Sequence, residues 1–253
     1  MNRFCWTAAA AALLCATLPC LNSCLNRNAK TTEIQQETIE EPTFRPGDQI
    51  PEEWVEKRGA ESFFSISPIP DDIFALMDGN SYKEGCPVGR GDLRYLTALH
   101  KDARGRTLLG EMVVNKSIAP DVLEILHDLY FASYPIEKMR LVDHYGADDN
   151  ASMLDNNSSA FNFRPRAHQS TISKHAIGEA IDINPLYNPF VRTLDSGAQI
   201  VEPAQSRQYL DRSADFPYKI ERDDLCCTLF RAHGFYWGGS WASRTRDYQH
   251  FER

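Results

Sequence analysis

Several features are scarce in this 253-residue chain. It has no dense run of lysine or arginine, and its 27 basic residues stand against 35 acidic ones for a formal charge of −8. Without a basic stripe for phosphate contacts, nucleic acid is not an expected partner. No apolar stretch reaches the ~20 residues that cross a bilayer, since the N-terminal one, about Trp6 to Leu18, ends at Pro19. Beyond Cys24 the only cysteines are Cys86, Cys226 and Cys227. Adjacent cysteines rarely bridge each other, and Leu225, Cys226 and Leu229 share one apolar face at helical spacing, so buried free thiols are expected. A bridge from Cys86 to one of the pair is the alternative in an oxidising compartment. The chain is also too short for a large repeat array. What remains is ordinary: 42% hydrophobic and 25% charged residues predict a chain that mostly folds.

The N-terminus departs from that average. Arg3 is the only charge before Arg27, and Phe4 to Leu21 is almost wholly apolar or small, which predicts a secretory signal that is removed. Leu21-Asn22-Ser23-Cys24 resembles the bacterial lipobox. Cleavage before Cys24 would leave that cysteine to carry a lipid, an ordinary signal-peptidase cut nearby being the alternative. The expected location is exported and lipid-anchored, on the periplasmic or outer face of a bacterial membrane. From Leu25 to about Phe44 the chain is polar and reads as a leash. The expected division is 1–23 signal peptide, 24–60 flexible tether and 61–253 catalytic domain.

Within the domain, Asp71-Asp72 before Ile73, Phe74, Leu76 and Met77 predicts a short helix closed by Gly79. Val122, Ile125, Leu126, Leu129 and Tyr130 predict a helix from Pro120 to Tyr134, stopped by Pro135. His127 falls off its apolar stripe and is assigned no role. Strands are expected at Glu111–Val114, Lys138–Val142, Ala180–Asn184 and Arg246–Glu252, a strand followed by a tight turn over Gly234–Gly239, a second helix at Asp223–His233, and a polar loop at Asp148–Ser159.

The chemistry concentrates in Ser173-Lys174-His175-Ala176-Ile177-Gly178-Glu179-Ala180-Ile181-Asp182. A strand from Ala180 sends Ile181 and Ile183 to the core and Ala180, Asp182 and Asn184 to the other face. Gly178 lets the chain turn, so His175 can stand beside Asp182. Near the C-terminus, His250 lies among aromatic and apolar neighbours. Two histidines and one carboxylate match the three protein ligands of a catalytic zinc with a fourth position free. The same trio suits non-haem iron.

The spacing S-x-H-x-x-G-x-A-x-D, followed by an aromatic-Gly-Gly-x-W segment and D-x-x-H-F, resembles the zinc D-alanyl-D-alanine carboxypeptidase and L-alanyl-D-glutamate endopeptidase family. Its fold is shared with lysostaphin-type enzymes and the hedgehog domain. The resemblance spans about Gly110 to the end. It implies His175, Asp182 and His250 as zinc ligands, Asp247 as catalytic acid/base, and Arg164 as the arginine near the substrate carbonyl or carboxylate, with Arg166 two residues away. It also implies peptidoglycan stem peptide as substrate. Asp stands where the carboxypeptidase branch has Glu, which tilts the expectation towards cleavage between L-Ala and D-Glu, with D-Ala-D-Ala trimming or a non-catalytic wall-binding module as alternatives. Carboxylate clamping would need a further cation, for which Arg166, Lys174 and Arg192 are the candidates. Because Asp247 and His250 are three residues apart, Asp247 is expected in a loop or bulge before the last strand. His100, His144, His168 and His233 are expected to be structural. Trp237 is expected in the core, with Tyr236, Trp241 and Tyr248 open as groove or core residues. The expected architecture is α+β, a small antiparallel sheet bearing the metal site with helices on its other face.

Overall fold

The longest regular feature is a hairpin of two nine-residue strands. In this computed structural model, which describes residues 41–164, 172–241 and 244–253, strand β1 (Ser65–Ser67) pairs antiparallel with β2 (Leu93–Lys101), and β2 with β3 (Thr107–Asn115). The hairpin is covered on both faces. Leu96, Ala98, Met112 and Val114 face the main core, while Leu93, Tyr95 and Val113 face a second cluster around Met77, Ile69 and Phe161. Two-sided burial replaces alternation with continuous apolar runs, and β2 has no period-two signature for that reason.

Helix α1 (Glu52–Arg58) precedes β1, and α2 (Asp71–Met77) follows it. Helix α3 (Ala119–Phe131) lays Val122, Ile125, Leu126 and Leu129 on the hairpin, each worth roughly 1.5–3 kcal/mol of burial. It ends before Tyr134, because Ser133 takes a positive φ of 56° ahead of Pro135. Strand β4 shrinks to Lys138–Met139 and pairs parallel with β5 (Asn157–Ser158). The segment expected as a loop at 148–159 holds helix α4 (Asp149–Leu154), started by Asp148, whose carboxylate accepts from the backbone N–H groups of Asn150 and Ala151.

The C-terminal part builds two further three-stranded antiparallel sheets. One has the order β6 (Ala180–Asp182), β11 (His250–Glu252), β9 (Tyr236–Trp237); the other has β10 (Thr245–Asp247), β7 (Phe190–Thr193), β8 (Gln199–Glu202). Behind the first sheet, helix α5 (Leu225–Ala232) stacks Phe230 on Phe251 with ring centroids 4.1 Å apart. The α+β architecture, with a small antiparallel sheet and helices behind it, is thus present.

Three expectations are corrected. Residues 42–60, assigned to the tether, belong to the compact unit Pro42–Arg253, because Ile50 and Val55 are buried against Leu99, Leu109 and Tyr130. Asn184 does not share Asp182's face: it takes a positive φ of 47° and is fully buried, with its side chain accepting from Glu137 N–H and donating to the Pro135 carbonyl. Leu225 is exposed, and Cys227 takes the buried position beside Cys226 and Phe230. All three described cysteines are free thiols. The signal segment, Cys24, Arg166 and His168 lie outside the described residues.

Candidate active site

The S-x-H-x-x-G spacing has a mechanical explanation. Ser173 Oγ accepts from the His175 N–H and starts a tight turn over Lys174–Ile177. Gly178 closes that turn at a φ of 73°, where a Cβ would stand 2.7 Å from Asn115 N, and its carbonyl accepts from that same N–H. No side chain fits there. The turn is thereby pinned to the end of β3, and β6 starts immediately after it.

His175 is oriented by its far nitrogen, Nδ1, which donates to the Ala160 carbonyl at 2.6 Å. Asp182 and His250 are direct partners in the β6–β11 register. His250 in turn donates from Nε2 to Glu252 Oε2 at 3.3 Å, two residues along the same strand face. These two bonds leave His175 Nε2 and His250 Nδ1 aimed at each other, 3.1 Å apart. Asp182 lies 3.0 Å from His250 Nδ1 and 3.2 Å from His175 Nε2. The ligand atoms of His175, Asp182 and His250 therefore converge on one point.

That convergence fits a zinc ion. Bonds of about 2.0–2.1 Å in a tetrahedron put ligand atoms about 3.3–3.4 Å apart, close to the separations here. Second partners on both imidazoles fix their tautomers as metal-ligating histidines require. Electrostatics agree. Burial works against charge on His250, but hydrogen bonds to Asp182 and Glu252 outweigh it and lift the imidazole to about 10. Burial likewise opposes ionisation of Asp182, yet His175 and His250 hold it well below the ordinary carboxylate range. The trio is built to surround positive charge. It remains open on one side, with side-chain exposures of 12% for His175, 19% for Asp182 and 7% for His250.

Asp247 lies neither in a loop nor in the same strand as His250. It ends β10, opposite Phe190 of β7, and Tyr248 and Gln249 carry the chain from that sheet into the one containing β11. The three-residue step is thus a change of sheet. Gly238 makes room for it: a Cβ there would meet the Asp247 carbonyl oxygen at 2.5 Å and His250 Cβ at 3.2 Å. Among the described residues Asp247 Oδ1 is buried without a hydrogen-bond partner, and burial pushes the carboxyl up to about 7, with His250 pulling against it. A buried, unpaired acceptor titrating near neutrality suits proton transfer.

These residues line one cleft of about 910 Å³, together with Arg164, Arg192 and Trp241. Arg164 is there as expected, and one of its terminal nitrogens is ion-paired with Asp149 of α4. The segment 148–159 does wall the cleft, through Asp149, Ser152, Met153 and Asn157. Trp241 stands 5.3 Å from the His250 ring. Trp237 is in the core and donates to the Tyr248 carbonyl, while Tyr236 is exposed. The other described histidines have structural partners: His100 with the Ile136 carbonyl, His144 with Glu111, His233 with Asp121, and His127 with Glu61 and Asp128.

Sequence reasoning missed the Ala160 carbonyl and Glu252 as orienting partners, and the sheet face carrying Phe190 and Glu202. Glu252 had a readable signal, since a residue two positions from His250 in a strand shares its face. The other two depend on pairings between distant segments.

Residues 167–253 match the family model described as D-alanyl-D-alanine carboxypeptidase. This bears out the resemblance over about a third of the chain, a narrower span than Gly110 to the end. His175, Asp182, Asp247 and His250 fall inside the match, and Arg164 lies just before it. Neither the curated proteins nor the solved structures give a match. The family match and a cluster able to hold a metal ion therefore coincide in the same stretch of chain.

Proposed function

We propose that this protein is a zinc-dependent peptidase that hydrolyses a peptide bond in the peptidoglycan stem, with His175, Asp182 and His250 as metal ligands. The observation that carries this reading is the convergence of those three side chains beside the unpaired Oδ1 of Asp247. A purely structural metal site needs no such carboxyl, which weighs against a non-catalytic wall-binding module. A zinc ion in that position supplies Lewis acidity, polarising the scissile carbonyl and making water acidic near neutral pH.

The chain's own residues supply the rest. Asp247 takes a proton from the attacking water at Oδ1 and delivers it to the departing nitrogen as the C–N bond breaks, so the amine leaves neutral. Arg164 uses one terminal nitrogen on Asp149 and has the other to offer to the carbonyl oxygen as charge develops there. Trp241 lines the cleft beside His250 and offers an aromatic surface to a bound peptide.

The roomy cleft suits a peptide running through it, and cleavage between L-Ala and D-Glu is the first reading of the bond. The family description favours the second reading, release of a terminal D-alanine. Incubating the zinc-loaded protein with a defined pentapeptide stem separates them by mass spectrometry. Internal cleavage yields a fragment beginning with D-Glu. Free D-alanine as the main product overturns the internal bond and leaves the peptidase standing, whereas an intact stem overturns the peptidase. We further propose that the chain is exported and held to a membrane by a lipid on Cys24, a reading supported by Leu21-Asn22-Ser23-Cys24.

A further inference from the structure

The sheet β8–β7–β10 forms one wall of the cleft, and its register places charge on that wall. Asp247 and Glu202 flank Phe190, while Thr245 and Ile200 flank Arg192 two residues further along β7. Paired residues and those two apart share a face, and Phe190, Arg192, Ile200, Glu202 and Asp247 all line the cleft. Three arginine or lysine side chains border this cavity among the described residues, and two are already ion-paired: Arg164 with Asp149, and Lys174 with Glu179 at 2.7 Å. Arg192 is exposed, and among the described residues no ion pair or hydrogen bond engages its guanidinium. Glu202 shares the wall but is not paired with it.

We propose that Arg192 binds an α-carboxylate on the residue whose nitrogen leaves. This role presupposes the peptidase reading and the placement of Asp247 at the departing nitrogen. In any α-amino acid the carboxylate is two bonds from that nitrogen, so its counter-charge must lie a short step beyond the proton donor. Two residues of strand span about 7 Å, and a cross-strand pair about 5 Å. That puts the Arg192 backbone one long side chain away from a carboxylate held next to Asp247. Two substrate positions carry this group: a C-terminal D-alanine, and a D-glutamate whose chain continues through its side-chain carboxyl. The same arginine serves both, which is why a single clamp does not by itself select between trimming and internal cleavage.

The test uses the full-length, zinc-loaded protein and two matched substrate pairs. One is an N-acylated peptide ending in D-Ala-D-Ala against its C-terminal amide; the other is a stem peptide with the D-glutamate α-carboxylate free against its α-amide. The pair whose acid form is cleaved identifies the source of the carboxylate. For that pair, the wild-type protein should favour acid over amide. Arg192→Gln should lower kcat/KM for the acid by roughly 10- to 100-fold, mainly through KM, leaving the amide rate little changed and zinc content intact. Arg192→Lys should restore part of the preference. Equal losses on acid and amide, or no loss on either, overturn the proposal while the peptidase stands. If no peptide is cleaved, calorimetric binding of the same pairs decides. An acid preference that Arg192→Gln abolishes supports Arg192 and sinks only the peptidase, and binding without that preference sinks Arg192.

Discussion

At the scale of single residues, the proposed function separates groups that would hold a metal from a group that would move a proton. His175, Asp182 and His250 each point a ligand atom at one position, so replacing any of them with alanine should reduce zinc content and activity together, read by metal analysis beside a peptide assay. Asp247→Asn should keep the zinc and lose about 10²–10⁴-fold in turnover. Near wild-type hydrolysis by that variant would exclude Asp247 as the base. The two nearby acids are committed elsewhere, Glu252 to His250 and Glu179 to Lys174. The clustering of these three residues was legible in the sequence because two of them lie within one turn-and-strand unit and the third sits among apolar neighbours. The Ala160 carbonyl behind His175 was not, because the segment 160–162 reaches the histidine through tertiary pairing, as in the Asn162 N–H bond to the His175 carbonyl.

At the scale of elements, the segment Thr245–Glu252 explains where strand reading stops working. Local alternation suggests one strand across Arg246–Glu252, yet two sheets with different neighbours claim its two halves. Partner choice is a non-local property, and a period-two pattern carries no mark of it. The helices were easier: α2, α3 and α5 appear near their expected places, because apolar spacing and bounding residues such as Pro135 and the Asp224 cap of α5 are local. The sheet change rests on Gly238, whose missing side chain admits both Asp247 and His250. Gly238→Ala should push these strands apart, costing about 1–3 kcal/mol of stability and a disproportionate share of activity with all ligands present. Thermal melting alongside zinc titration would show it. An unchanged melting temperature and rate would mean that the close approach is not needed.

At the scale of the whole molecule, pH acts through a group far from the chemistry. His100 is buried against the Ile136 carbonyl, and burial lowers its imidazole from 6.5 to about 4. Above 6.5 the folded and unfolded chains are both neutral there. As the pH falls towards 4, the unfolded chain takes a proton that folded His100 refuses, so stability drops, by about 3 kcal/mol at most. His100→Asn keeps a donor for the carbonyl and cannot titrate. Its melting temperature should fall less steeply between pH 6.5 and 4 than that of the parent, and parallel curves would rule His100 out. The proposed anchor makes a separate claim: Cys24→Ala should move the protein from the membrane fraction to the soluble one without changing the activity of the folded unit, and continued membrane association would refute lipidation. The acidic chain offers no electrostatic substitute, since anionic lipids repel it. The division between the two C-terminal sheets has one more consequence. The β6–β11–β9 sheet and the turn before it carry the His175–Asp182–His250 cluster, while the β7–β8 hairpin carries part of the cleft lining, Phe190, Arg192, Ile200 and Glu202. Because they are different stretches of backbone, they can diversify independently, and an exchanged hairpin could give this scaffold a new preference while the His175–Asp182–His250 cluster is inherited intact.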